Sequence, residues 1–139
     1  MRRSSTVVNP RLLASATGAS GKAMLPFMDG KRLRLGLFGA NCSSGRTYAT
    51  LPESWQASWE NNLKLAQMAD DIGIECMVPI ARWKGYGGDS NPNGSSFESI
   101  AWACGLLAAT RRLRVFCTVH VPLHHPLVAA KQMATGDHI

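Results

Sequence analysis

Apolar and polar positions change period three times along residues 31–139. Leu33, Leu35, Leu37 and Phe38 form a short apolar run closed by Gly39, which predicts a strand. A polar loop follows at 41–46. Pro52 and Glu53 then predict the opening of a helix, capped by Thr50 or Ser54. Trp55, Trp59, Leu63 and Ala66 recur at helical spacing, as do Leu65, Ala69 and Ile72, and Gly73 reads as the C-terminal stop. Residues 75–81 predict a second strand, weakened by Pro79, which lacks the amide donor a central strand uses. A loop rich in Gly, Asn and Ser spans 82–96. Residues 97–112 predict a second helix with Ile100, Ala103, Cys104, Leu107 and Ala108 on one face. Arg111 and Arg112 near its end suit the helix dipole. Residues 113–121 are almost continuously apolar and predict a third strand. Pro126 sits where the first turn of a third helix begins.

Strand and helix therefore alternate three times. Crossovers that contain a helix favour right-handed βαβ units and a parallel α/β sheet. The strands read as runs buried on both faces, and the third looks central. No strand follows the last helix. The expectation is an α/β architecture cut short of a complete doubly wound sheet or barrel.

Composition narrows the class. The chain has 139 residues, of which 45% are hydrophobic and 17% charged. That suits one domain and excludes a disordered or collagen-like chain. No apolar run approaches the ~18–20 residues that span a bilayer. The net charge of +6 first suggests an acidic partner. Its distribution argues against nucleic acid. Arg2, Arg3, Arg11, Lys22, Lys31 and Arg32 face only Asp29, whereas residues 33–139 hold nine basic and eight acidic side chains. Residues 1–30 lack the apolar stretch of a secretory signal and read as a tail or extension outside the domain at 31–139. Cysteines at 42, 76, 104 and 117 form no C-x-x-C pair, which points to a reducing, cytoplasmic compartment. Cys76, Cys104 and Cys117 read as small buried hydrophobes.

In parallel α/β folds ligands gather at the C-terminal ends of strands, here 39–46, 81–88 and 118–125. The second segment combines Arg82, Trp83, Lys84 and Tyr86 with Gly85, Gly87 and Gly88. Arg82 could face an anionic group, and amides near the glycines could approach a ring or phosphate. The plainer reading is a flexible loop with solvated charges. The dinucleotide fingerprint fails, because Ser90 stands where its last glycine belongs. His120 and His124 have metal-ligand spacing, but Pro122 between them breaks helical geometry, and no carboxylate completes the set. His120 stays a candidate substrate contact or acid/base group. Asn41 could bond a substrate carbonyl or a peroxide oxygen, or serve its own turn. Cys42 has no flanking base and reads as no nucleophile. Trp55 and Trp59 read as packing anchors.

Three stretches together resemble one family. They are Arg34-Leu35-Gly36-Leu37-Phe38, then Ile80-Ala81-Arg82-Trp83-Lys84-Gly85-Tyr86-Gly87-Gly88, then Pro126-Leu127-Val128-Ala129-Ala130-Lys131-Gln132-Met133-Ala134-Thr135. They are similar to the bacterial luciferase-like flavin-dependent monooxygenases, most of all the pyrimidine and dimethylsulfone branch. The resemblance covers residues 33–139. It implies a (β/α)₈ TIM barrel that binds reduced FMN from a separate NAD(P)H-dependent flavin reductase and oxygenates a small organic substrate with oxygen. It implies cofactor contacts at Ala81, Arg82 and Thr118 and substrate contacts at Asn41 and His120. It assigns no catalytic residue. A barrel of this kind needs about 250 residues, and three βα units are expected here. The chain is therefore expected to be an N-terminal part, inactive alone, of a parent that could form a homo-oligomer. Two other readings stay open: a deazaflavin-dependent oxidoreductase of the same superfamily, and a small non-enzymatic α/β binding module.

Overall fold

The computed structural model describes residues 33–139; the tail expected at 1–30 lies outside the described residues. Three strands and three helices alternate: β1 (Gly36–Phe38), α1 (Trp59–Ile72), β2 (Cys76–Val78), α2 (Ser99–Ala109), β3 (Arg114–Val115) and α3 (Pro126–His138). A short 3₁₀ turn, Val121–Leu123, precedes α3. The strands form one parallel sheet in the order β1-β2-β3. Leu37 pairs with Met77, and Met77 with Val115. The parallel α/β arrangement is as the alternation predicts. No helix among the described residues is long and apolar enough to cross a membrane.

Several boundaries differ from the sequence reading, each for a local reason. α1 opens at Trp59 rather than near Pro52. Ser58, not Thr50 or Ser54, is its cap, with the hydroxyl accepting from the Asn61 amide at 3.1 Å. Trp55 lies outside the helix, and its indole N–H donates to the Ala40 carbonyl at 2.8 Å. That bond ties Trp55 to the end of β1, and the Ser44 N–H donates to the Trp55 carbonyl. Gly73 ends α1 as expected, at φ +85° in the left-handed region.

α2 is shorter than 97–112. The Glu98 carboxylate accepts from the amides of Ile100 and Ala101, so the helix starts at Ser99. Thr110 is extended and ends it before Arg111 and Arg112, whose backbone amides donate instead to the Asp70 carboxylate. The buried positions of α2 include Trp102 and Leu106, whereas Ala108 is exposed. The helix packs on α1 as well as on the sheet, so its buried arc is wider than one apolar stripe.

β3 is also not the doubly buried central strand expected from residues 113–121. It pairs with β2 alone, burial alternates along it, and Pro122 enters the 3₁₀ turn. β2 holds the middle of the sheet and stops at Pro79, which has no amide to continue a ladder. Of the cysteines, Cys42 is fully buried, while Cys76, Cys104 and Cys117 are half-buried.

The core lies between sheet and helices: Ala66 and Ala69 of α1, Met77 of β2, Trp102, Ala103 and Leu106 of α2, and Leu113. Burying a ring such as Trp102 contributes about 4–6 kcal/mol before entropy is counted. Its indole N–H is satisfied by Asn62 Oδ1 at 2.9 Å, and Asn62 Nδ2 donates to the Ser58 carbonyl. Position and polarity of the α1–α2 contact are thus fixed together.

Candidate functional site

The short segment 96–99, between the long loop and α2, touches the C-terminal ends of all three strands. Phe97 N–H donates to the Asn41 carbonyl beyond β1, and Asn41 Nδ2 donates back to the Phe97 carbonyl at 3.3 Å. Ser96 Oγ donates to the Arg82 carbonyl beyond β2. Ser99 Oγ donates to the Thr118 carbonyl beyond β3 at 2.6 Å. A parallel sheet has no hairpins to lock neighbouring strand ends together, and these hydroxyls and amides supply that link.

Asn41 is the innermost member. It is completely buried, and its amide also pairs with both backbone groups of Ile80, at 2.8 and 2.9 Å. Beside it Cys42 is equally buried, with its thiol donating to the same Ile80 carbonyl. Burial pushes the Cys42 thiol up to about 11, and the Arg82 charge offsets only part of this. Such a thiol stays protonated and unreactive at neutral pH.

Arg82 is held from several sides. Its amide donates to the Ile80 carbonyl, and its Nε donates to the Lys84 carbonyl at 2.8 Å. Its guanidinium carbon sits 3.5 Å from the centre of the Tyr86 ring. Its terminal nitrogens have no acceptor among the described residues. Arg82, Trp83, Ser96, Phe97 and Glu98 line a cavity of about 240 Å³. Closed small-molecule sites run to roughly 300–1,000 Å³, so this cavity is smaller than such a site. Glu98 brings its carboxylate to the cavity wall already bound to the first amides of α2.

The loop behind this wall is ordered by its own bonds. Asn91 Oδ1 accepts from Gly87 N–H, and the Asn91 carbonyl accepts from Gly94 N–H. Ser43 fastens the loop to the β1 side through Asn93 and Ser95. The plain reading of 82–96 as a flexible loop is therefore replaced by a braced one.

The structure brings Asn41, Ala81, Arg82 and Thr118 to one end of the sheet through residues 96–99. Ala81 is half-buried between Ile80 and Arg82, and Thr118 is exposed. His120 lies farther along, half-buried, with its carbonyl accepting from Leu123 N–H at 2.8 Å. Its ring has no polar partner among the described residues. Among those residues no cluster of His, Cys, Asp and Glu could hold a metal ion. Sequence reasoning passed over Ser96, Phe97 and Ser99. The signal available was hydroxyls and Glu98 crowded just ahead of an apolar helix.

Comparison with known proteins identifies the family. Residues 33–139 match the model of the luciferase-like monooxygenase family. The chain is 28% identical over 106 residues to the pyrimidine monooxygenase RutA of Allorhizobium ampelinum, covering 76% of this chain and 29% of that protein. It is 33% identical over 100 residues to the FMNH(2)-dependent dimethylsulfone monooxygenase of Pseudomonas fluorescens, covering 71% and 26%. The corresponding protein of Pseudomonas putida is 34% identical over 98 residues, covering 70% and 26%. The chain thus spans less than a third of the length of these relatives.

Proposed function

The chain belongs to the luciferase-like monooxygenase family, and on that footing we propose that it supplies one wall of a reduced-FMN site in an enzyme that oxygenates a small organic substrate. The observation that carries this reading is Arg82: a fixed guanidinium with open terminal nitrogens, beside Trp83 and Phe97, at the C-terminal end of the central strand. That donor set suits a ligand that is planar, apolar on its faces and anionic at its edge and phosphate. The three βα units are the first three of a (β/α)₈ barrel in this proposal, which the all-parallel order β1-β2-β3 and the greater length of the relatives support. The activity belongs to the whole barrel, and these units alone are inactive. A separate NAD(P)H-dependent reductase supplies the flavin, and the setting is cytoplasmic, in keeping with four free thiols.

Bound reduced FMN would supply the electrons that activate oxygen. The residues of this chain do the holding. Arg82 takes the anionic part of the cofactor, with Ala81 and Thr118 beside it. Trp83 and Phe97 exclude water from that wall. His120, whose ring carries no internal bond, contacts the substrate. Asn41 acts on the substrate side through the backbone it fixes, since its amide is engaged by Ile80 and Phe97.

Anaerobic titration of the whole barrel that contains these residues with reduced FMN, and in parallel with a reduced deazaflavin, tests this. Saturable FMN binding that weakens on Arg82→Ala is expected. Tighter deazaflavin binding overturns the cofactor assignment, and FMN binding indifferent to Arg82→Ala overturns the site.

A further inference from the structure

We propose that Tyr86 is a positioning residue: its ring and the Lys84 carbonyl hold the Arg82 guanidinium in one orientation, with the terminal nitrogens open to an anionic group of the ligand. The proposal rests on the flavin reading of Arg82 and deepens it.

A guanidinium carries five N–H donors in one plane. In Arg82 the Nε donor is engaged by Lys84 at 2.8 Å, and one face of the plane is covered by Tyr86 with 3.5 Å between guanidinium carbon and ring centre. The first contact fixes the rotation within the plane and the second fixes the plane itself. The four donors on the two terminal nitrogens remain. They form the forked edge that suits a phosphate or another planar anion. An arginine free in solvent loses most of its rotamer freedom when it grips an anion. Here that freedom is lost on folding, so binding bears less of the cost.

Tyr86 can do this only if its own backbone is fixed, and it is. Its amide donates to the Pro92 carbonyl at 3.2 Å, and the Tyr48 ring packs against it with 6.0 Å between centres. The turn carrying it closes on Asn91, which accepts from Gly87 N–H at 2.9 Å. Gly85 leaves no space for slack: a Cβ there would lie 2.5 Å from Asn91 Oδ1 and 2.7 Å from Gly94 Cα. Tyr86 is nevertheless half-exposed, and its hydroxyl makes no hydrogen bond among the described residues. The ring face, not the hydroxyl, carries the function, and replacing it disturbs no core.

The anion has two sources in reduced FMN, the phosphate and the electron-rich edge of the flavin ring. Anaerobic titrations with reduced FMN and with reduced lumiflavin, which lacks the phosphate, separate them. They are run on the whole barrel that contains these residues, unsubstituted and as Tyr86→Leu and Tyr86→Phe. Removing an aromatic face from a cation of this kind is expected to weaken binding about 3- to 10-fold in Tyr86→Leu. Tyr86→Phe is expected to bind as the unsubstituted barrel does, which a general loosening of the loop would not explain. A loss seen with FMN alone assigns the anion to the phosphate, and a loss seen with both ligands assigns it to the ring edge. Equal affinity of Tyr86→Leu and the unsubstituted barrel overturns the proposal. Absence of flavin binding by the unsubstituted barrel overturns the parent reading, and this one with it, and that control tells the two failures apart.

Discussion

Asn41 pairs its side-chain amide with the backbone of Ile80, accepting from its N–H at 2.8 Å and donating to its carbonyl at 2.9 Å. A neighbouring strand would offer the same two bonds, but β1 has ended at Phe38 and β2 at Val78. The side chain thus extends the sheet by one further pairing, at the point where Pro79 stops the ladder and Arg82 must be delivered to the cavity wall.

Asn41→Asp is expected to destabilise the fold by about 2–4 kcal/mol, because two donated bonds vanish and a buried carboxylate faces the Ile80 and Phe97 carbonyls. Denaturant unfolding of the full chain measures it. If the variant unfolds at the same midpoint, Asn41 is a surface-like ligand contact and not the clamp described above.

The end of the sheet that carries the site was readable in advance, since the alternation of apolar runs and helices places a loop after each strand, but β2 and β3 stop at Val78 and Val115, short of the expected 75–81 and 113–121. What was not readable is which polar groups are consumed inside. Asn41 looked like a ligand contact because an Asn after a strand carries no mark of what its amide meets. Arg111 and Arg112 looked like dipole partners because the helix was expected to run to 112. Their backbone amides reach Asp70, 41 and 42 positions earlier in the chain. Pairings that long have no periodicity to reveal them. The stack of Tyr86 on Arg82 is local, yet the spacing alone does not distinguish a stacked loop from a solvated one.

Asp70 carries the second prediction. It is 3% exposed and accepts from the backbone amides of Arg111, Arg112 and Leu113 at 2.9, 2.8 and 2.7 Å. Burial by itself would raise its pKa, but the three amides and the Arg112 charge bring it below the ordinary value of 3.8. A depressed carboxylate contributes stability that is complete above the unfolded value and is lost as pH falls below 3.8 through the folded value. Asp70→Asn cannot accept from all three amides and is expected to cost about 1–3 kcal/mol at pH 7. The difference in stability between parent and variant should shrink on acidification below pH 3.8. A difference independent of pH would refute the role given to the carboxylate charge.

Gly85 and Gly88 lie in the same loop and should respond differently to alanine. At Gly85 the new methyl would press on the Gly94 backbone at 2.7 Å, so the turn must open, at a cost of about 1–3 kcal/mol. At Gly88 the methyl meets nothing within 4 Å, and only the φ of +76° is strained, at about 1–2 kcal/mol. Hydrogen exchange distinguishes them even where the total costs coincide. Gly85→Ala should expose the Gly87 amide that bonds Asn91, and Gly88→Ala should leave it protected. Equal protection in both variants would show that the turn is not held by that close packing.

Cys42 sets a limit at the alkaline end. Its thiol is buried beside Asn41, and burial raises its pKa from 9.0 to about 11. A raised acid favours the folded state while it stays protonated, so the contribution is whole below pH 9.0 and is lost as pH rises through about 11. The same shift leaves about 1% thiolate at pH 9, and the thiolate is the form that alkylates. Mass spectrometry of the native chain treated with iodoacetamide at pH 8 should find Cys42 modified last of the four cysteines, and modified readily once urea is added. Cys42→Ala removes the titrating group without adding bulk. Its stability curve between pH 9.0 and 11 should fall less steeply than that of the parent. Early labelling of Cys42 in the native chain would mean that the Asn41–Ile80 closure opens on the timescale of the reaction, and that the wall holding Arg82 is not the rigid one described.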